Sequence, residues 1–465
     1  MIRLYNTLTR KLEDFKPIKK GEMGIYSCGP TVYWNQHIGN MYCYVQWDTM
    51  VRFFRFLGLK VKWVMNVTDV GHMTSDEDAG EDKMEKGAKR EKLTVWQIAD
   101  KYIDQFKDSL KLLNIQTPDV LCRATEHIEE QIQLIKLIEK NGFTYKTKTG
   151  IVLDTSKFPG YANFARLDLS KQEAGSRVEV DLEKKQPWDF LLWVTNQPKH
   201  VMIWDSPWGK GFPGWHIECT AMSTKYLGSK FDIHTGGKEH IPVHHTNEIA
   251  QAYGAFGRQT ANYWLHNEWL TLKEGKMSKS LGNVYTVQDL VAKGYNPLAF
   301  RYLALTSTYR QGLVFNLTAL KATQVALDKL VSLVRDWQMG EGRQTIGKDD
   351  PEKIAKFRQE FVERISNDLN FPEALAVVWQ MVKSDIPASD KLDLLLEFDQ
   401  VMGLDLANQA KGKKEVVIPE EIQKLADRRE KLRQAGKWQE ADIVRKQIEK
   451  LGWKIEDTGH GYCVG

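Results

Sequence analysis

The sequence predicts an α/β domain interrupted by an inserted module and followed by a mostly helical bundle and a small C-terminal domain. Three observations carry this. Early in the chain, short apolar runs such as Met23-Gly24-Ile25-Tyr26 and Val61-Lys62-Trp63-Val64-Met65-Asn66-Val67 alternate with segments of helical period. Between Phe143 and Trp193 the texture changes to short strand-like pieces among glycines, prolines and charges. Beyond Pro297 nearly every segment has helical spacing.

The first run lies between Gly21 and Gly29 and reads as a buried strand over 23–26. A helix is expected over 41–57, with Val45, Thr49, Phe53 and Phe56 near helical spacing and Gly58 as its stop. The stretch Ser27-Cys28-Gly29-Pro30-Thr31-Val32-Tyr33-Trp34-Asn35-Gln36-His37-Ile38-Gly39-Asn40 is therefore a strand-to-helix crossover. Open α/β sheets bind ligands at such a place, and a helix N-terminus favours anions. A thiol and an imidazole sit there; a small buried hydrophobe and a helix cap are the plainer readings.

A second strand over 61–67 is closed by Thr68 and Asp69. The charged, glycine-containing stretch 74–92 reads as a mobile surface loop. Helices follow over 94–113 and over 125–141, the latter opened by Thr125 as N-cap and closed near Asn141-Gly142. After the inserted pieces, α/β character returns with Trp204-Asp205-Ser206-Pro207-Trp208 and with Gly214-Trp215-His216-Ile217-Glu218-Cys219. A helix, a strand over 231–234 and a turn at Gly236-Gly237 come next. A helix over 244–257 then carries His244, His245 and Glu248. Strand-like Tyr263-Trp264-Leu265 leads through Trp269 to a loop holding Lys276-Met277-Ser278-Lys279-Ser280. Later helices are expected near 297–306, 316–337, 352–368, 371–384 and 389–402, and two charged helices around Gly436 over 420–451. Residues 339–351 and 407–419 read as linkers.

Composition bounds the class. The 465 residues are 42% hydrophobic and 27% charged, as in an ordinary soluble globular chain. No apolar run approaches bilayer-crossing length, and the start lacks the apolar core of a signal peptide. Five scattered cysteines with no CxxC spacing argue against a disulfide framework and for a reducing cytoplasm. The net charge is only +4, yet residues 411–454 hold 13 Lys and Arg against 8 Asp and Glu. A basic end on a near-neutral body suits a polyanionic partner, a solvated helical face being the plain alternative.

Two constellations could do chemistry. Cys28, Cys219, His244 and Glu248 offer two thiolates, an imidazole and a carboxylate, a complete set for a tetrahedral metal. His244 and Glu248 are four apart on one helix and leave the same face. Two buried cysteines and a surface His/Glu pair explain the same spacing. The loop around Lys276 and Lys279, with Gly275 before and Gly282 after, can fold over a triphosphate and neutralise developing charge.

The motifs CGPTVY, HIGN, GWHIEC, HHTNEIAQ and KMSKS, in that order, with ADIVRKQIEKLGWKIED near the end, resemble the cysteinyl-tRNA synthetases, a class I aminoacyl-tRNA synthetase family. The resemblance also covers SKFPGYANFARL, DFLLW and WDSPWGKG, and so spans nearly the whole chain. It implies a Rossmann-type class I catalytic domain in two parts, 1–114 and 204–262, split by a connective insertion at 115–203. It further implies a KMSKS-containing stem-contact region at 263–310, a bundle at 311–406 and an anticodon-binding domain at 418–465. The implied reaction is ATP-dependent activation of L-cysteine as the adenylate and its transfer to the terminal adenosine of tRNA(Cys).

The resemblance assigns Zn2+ to Cys28, Cys219, His244 and Glu248, and Mg2+ to the ATP. It makes His37, Asn40, Lys276 and Lys279 catalytic, and adds Gly39, Gly236, Glu239 and Ser278 around the nucleotide. Gly29, Thr31, Thr68 and Trp215 match positions of the cysteine pocket. A cytoplasmic monomer without membrane contact is expected. The chain departs from the pattern at Asn40, where a second His is usual, at Thr246, where Glu is usual, and at Glu239, where Asp is usual. A ligase joining cysteine to a small amine would keep the zinc and ATP sites but has no need of the basic 411–454 segment. A catalytically weak tRNA-binding paralogue fits Asn40 but not the intact Lys276 loop.

Overall fold

The computed structural model describes residues 1–71, 82–168, 183–197, 200–272, 284–340, 351–411, 420–451, 453, 455–458 and 461–464. Its centre is a five-stranded parallel sheet in the order Ala261–Asn267, Phe231–Gly237, Glu22–Ser27, Lys60–Val67, Val120–Arg123. The chain's first strand of this sheet is the middle one, with later strands added on both sides. Its carboxyl end is thus the switch point where a crevice opens between diverging connections. That is where Cys28 lies.

Helices cover the sheet, which explains why its strands are apolar on both faces. Ile38–Phe56 buries Met41, Val45, Phe53 and Phe54, and Trp215–Leu227 buries Ile217, Cys219 and Met222. A separate four-stranded antiparallel sheet runs in the order Thr144–Lys146, Gly150–Leu153, Phe190–Thr195, Gly211–Pro213, its last strand lying beyond the insertion expected at 115–203. Beyond it come the helices Pro297–Leu305, Leu317–Gln338, Pro351–Ser366, Phe371–Lys383 and Ala388–Met402. Compact packing divides the chain into two units, Met1–Leu406 and Ala407–Gly465. The second contains two helices, Glu420–Gln434 and Trp438–Lys450, closed over Ile422, Ala426, Val444 and Ile448, and an antiparallel hairpin of Ile455–Thr458 with Gly461–Val464.

Several expectations need correction. Of the stretch read as a loop over 74–92, residues 83–91 form the helix Lys83–Glu91, opened by Asp82, whose carboxylate accepts the Glu85 N–H at 2.8 Å. Thr125 is no N-cap: it sits in the 3-10 turn Ala124–His127, and its N–H and hydroxyl donate to Asp69 at 2.9 and 2.7 Å. The α-helix proper is Ile128–Lys140. Gly236 and Gly237 are not a turn but the last two residues of a strand, paired with His266 and Asn267. The helix expected from 244 starts at Thr246, after a wider π-type turn over Ile241–His245. The expected linker 407–419 is partly helical, because Leu406–Lys411 continues as a helix; 412–419 lie outside the described residues. The terminal hairpin had no counterpart in the sequence reading.

Candidate active site

Gly29 is required where the first strand ends. A Cβ there would lie 1.6 Å from the Asn66 carbonyl oxygen, so only glycine lets the chain pass the neighbouring strand. The Gly29 N–H donates to the Asn66 side chain at 2.8 Å, and Cys28 N–H to the Thr235 carbonyl at 3.0 Å. The thiol is therefore fixed from both sides of the sheet. Further on, His37 caps Ile38–Phe56, its Nδ1 accepting the Asn40 N–H at 3.3 Å. The cap reading and the functional position coincide in one residue, since His37 also lines the cavity described below. Ile38 N–H donates to the Tyr285 carbonyl at 2.8 Å, tying the chain just after the Lys276 loop to this helix start. Lys276, Ser278 and Lys279 themselves lie outside the described residues.

Cys28, Cys219, His244 and Glu248, far apart in sequence, converge with one donor atom each within 4.8 Å of one another, and all four are buried. The two sulfurs are 3.9 Å apart, close to the ~3.8 Å that two thiolates span on a tetrahedral ion with metal–sulfur bonds of about 2.3 Å. Glu248 Oε1 lies 3.2 Å from His244 Nε2 and 3.9 Å from the Cys28 sulfur. Burial, with Cys219 and Glu248 alongside, pushes the Cys28 thiol well up. For Cys219 the hydrogen bond with Cys28 pulls down and burial pushes up, the net being upward. Two buried sulfurs and a buried carboxylate facing one another fit a soft divalent cation, whose charge favours the thiolates.

A second donor group, Cys28, His234, His245 and Glu248, overlaps the first. Geometry separates them. Cys219 and His244 line the open cavity, and His234 and His245 do not. His245 Nδ1 pairs with His266 Nε2 at 2.7 Å, and His266 Nδ1 with the Thr7 hydroxyl at 2.8 Å. Burial, reinforced by the surrounding imidazoles, holds His245 and His266 well below the usual histidine range, so this chain is neutral. His244 presents Nδ1 to His216 Nδ1 at 2.9 Å and Nε2 to Glu248, the outer hydrogen bond that orients a ligating imidazole. The second group is thus the support of the first. Of the two imidazoles that this group adds, only His245 was noted from sequence; nothing in the spacing of His216, His234 and His266 signals the network.

The cavity, of about 290 Å³, is lined by Cys28, Cys219 and His244 together with His37, Gly39 and Asn40 from the helix start. Gly29, Thr31, Thr68, Trp215 and Glu239 complete the sequence-predicted wall. Glu248 and Gly236 stand behind it. A Cβ on Gly236 would meet the His245 ring at 2.7 Å and His240 at 2.8 Å, so glycine there keeps the imidazoles in place. Glu239 accepts the Trp269 indole N–H at 2.7 Å, and the Trp215 ring lies 4.6 Å from the His244 ring. Thr68 donates to Glu218 at 3.1 Å, so its hydroxyl is held by a buried carboxylate. Sequence reasoning did not single out Trp34, Lys83, Asn267 or Trp269, which also line the cavity.

The family model described as tRNA synthetases class I (C) catalytic domain matches residues 14–325. The chain is 44% identical over 463 residues to Cysteine--tRNA ligase 1 of Burkholderia lata, covering 99% of this chain and 96% of that one. It is 42% identical over 480 residues to Cysteine--tRNA ligase of Treponema denticola, covering 98% of each. In fold it is similar to a Mycobacterium tuberculosis methionyl-tRNA synthetase solved with methionyl-adenylate, with a TM-score of 0.58 at 15% identity, covering 84% of this chain and 90% of that one. With a parallel sheet, a capped HIGN helix and relatives matching over almost its whole length, the chain belongs to the class I tRNA synthetase (C) family.

Proposed function

We propose that this chain activates L-cysteine with ATP and transfers the cysteinyl group to the terminal adenosine of tRNA(Cys). The observation that carries the reading is one cavity joining a sulfur-rich donor set to a capped helix N-terminus. The name of the relatives, cysteine–tRNA ligase, supports it.

Two displacements follow from that juxtaposition. The cysteine carboxylate attacks the α-phosphorus of ATP, and pyrophosphate leaves with the electron pair of the broken P–O bond. A hydroxyl of the terminal adenosine then attacks the adenylate carbonyl, and AMP leaves. No protein nucleophile is needed; positioning and charge neutralisation lower the barrier. His37 and Asn40, at the start of Ile38–Phe56, and Gly39 between them are assigned to the α-phosphate. Lys276 and Lys279, with Ser278, are assigned to the leaving pyrophosphate, and Mg2+ to the triphosphate. Gly236 and Glu239 are assigned to the adenosine side, and Gly29, Thr31, Thr68 and Trp215 to the amino acid.

Cys28, Cys219, His244 and Glu248 would hold Zn2+, which supplies a bond to a substrate thiolate. Serine, whose hydroxyl stays protonated near neutral pH, is refused on this ground. The free thiols of Cys28, Cys43, Cys122 and Cys219 support a reducing cytoplasm. We read the working form as a monomer. Among the described residues no helix is long and apolar enough to cross a membrane.

The test is cysteine-dependent exchange of pyrophosphate into ATP, followed by charging of total tRNA with cysteine or serine. Exchange and charging with cysteine alone are expected. Charging with serine at a comparable rate overturns the thiolate pocket. Exchange without charging overturns tRNA as acceptor in favour of a small amine.

A further inference from the structure

The helix Lys83–Glu91 reaches the cavity wall at Lys83. Gly87 and Arg90, at i+4 and i+7 on the same face, pack against Tyr33 and Trp34, which line the cavity. The Arg90 guanidinium lies 3.6 Å from the centroid of Trp34 and donates to the Tyr33 carbonyl at 3.1 Å. A Cβ on Gly87 would stand 3.1 Å from that same carbonyl oxygen. Lys83 Nζ lies 5.4 Å from the centroid of Trp215, whose ring in turn packs against the imidazole of His244.

The anchorage of this helix is equally specific. Asp82 caps it and receives His200 Nε2 at 2.6 Å, both groups being buried. Val201 N–H donates to Glu85 at 3.0 Å, and the Gly71 position has no room for a Cβ beside the Asp82 carboxylate. The Lys83 backbone is therefore held from the inserted region and from the end of the second sheet strand together.

Among the described residues lining the cavity, Lys83 is the one lysine or arginine. The reaction brings together two anions, the amino-acid carboxylate and the α-phosphate, which repel unless a cation stands by. Asn40, at the helix start, can donate a hydrogen bond but cannot carry charge. In cysteine the thiol and the carboxylate are separated by two carbons. Lys83 and Trp215 line the same small cavity as Cys28, Cys219 and His244, so a thiol at the donor set and a carboxylate at the Lys83 ammonium are reached within one pocket.

We propose that Lys83 is a substrate-binding residue that holds the cysteine carboxylate as it meets the α-phosphate. The inference rests on the cysteine reading above, and its test is arranged so that the two can fail separately. Three proteins are compared: the full chain, Lys83→Met, which keeps an apolar stem on Trp215, and Lys83→Arg, which restores the charge. Each is loaded with zinc, and its bound zinc is measured. Binding of L-cysteine and of cysteamine, which is cysteine without its carboxylate, is measured by calorimetry without ATP.

Lys83→Met is expected to bind cysteine on the order of tenfold or more weakly, the worth of a charge-assisted hydrogen bond, with zinc content and cysteamine affinity unchanged. Lys83→Arg is expected to recover most of the loss. An equal weakening of both ligands would make Lys83 a support for Trp215 and overturn the proposal, as would unchanged cysteine binding. If Lys83→Met does not fold, Lys83→Gln carries the same comparison. A native chain that binds neither thiol overturns the cysteine reading instead, whatever Lys83 does.

Discussion

Cys219 shows how one residue type separates a packing role from a ligating one. It is buried among apolar neighbours such as Tyr26 and Met222, as a small hydrophobe would be. Yet its sulfur faces that of Cys28 at 3.9 Å, with a carboxylate and an imidazole closing the set. Cys219→Ser nearly preserves volume, so a packing role would cost only stability. A ligating role predicts loss of bound zinc together with a fall in cysteine-dependent exchange on the order of a hundredfold or more. Metal analysis beside exchange kinetics decides it: zinc retained at full stoichiometry with ordinary exchange would return Cys219 to the core. The four converging donors were legible in sequence because they sit in motifs. The imidazoles behind them were not, because which ring nitrogen faces which neighbour depends on a fold that brings residues 7, 216, 234, 245 and 266 together.

At the scale of the element, the helix Lys83–Glu91 is the largest departure from the sequence reading. It is short and strongly charged, and its apolar stripe of Met84, Gly87 and Ala88 holds only one large side chain, so apolar periodicity gives it a weak signature. Its stability comes from outside: the Asp82 cap, the bond from His200, and Arg90 laid on Trp34. Asp82→Ala removes the cap and leaves His200 without its carboxylate, a combined loss of about 2–4 kcal/mol. The expected readout is faster amide exchange confined to 83–91 and the chain near His200, with weaker cysteine binding and normal zinc content. Faster exchange spread evenly over the central sheet would instead mean that Asp82 supports the whole unit. The same scale explains Gly236 and Gly237. Two glycines in a row resemble a turn, but here they are strand residues stripped of side chains to admit the His240 and His245 rings and the Glu239 carboxylate.

At the scale of the molecule, the parallel sheet and the run of later helices were legible from periodicity, whereas the joint between them was not. Arg301 and Asp48 are both fully buried and paired at 2.5 Å, with Arg301 also donating to the carbonyls of Leu113 and Met402. One guanidinium thus ties the HIGN helix to the bundle, a contact between residues 253 positions apart that no local pattern announces.

Close by, Asp399 accepts the N–H groups of Leu404 and Leu406 at 2.7 and 2.8 Å, holding the turn that ends the first unit. Burial raises its carboxyl to about 6 against the pull of those two N–H groups and of the Arg301 and Arg52 charges. A carboxyl raised on folding contributes stability that is fully present below the unfolded value near 4. That contribution is lost as pH rises through about 6, at up to about 1.4 kcal/mol per pH unit. Asp399→Asn cannot titrate. The stability of the native chain measured relative to this variant is therefore expected to fall between pH 4 and pH 7 and then level off. Urea unfolding of both proteins across that range reads the difference directly, and the many other carboxylates cancel. A difference that stays level, or that grows with pH, would mean that the two backbone donors and the nearby guanidinium groups outweigh burial and keep Asp399 ionised throughout.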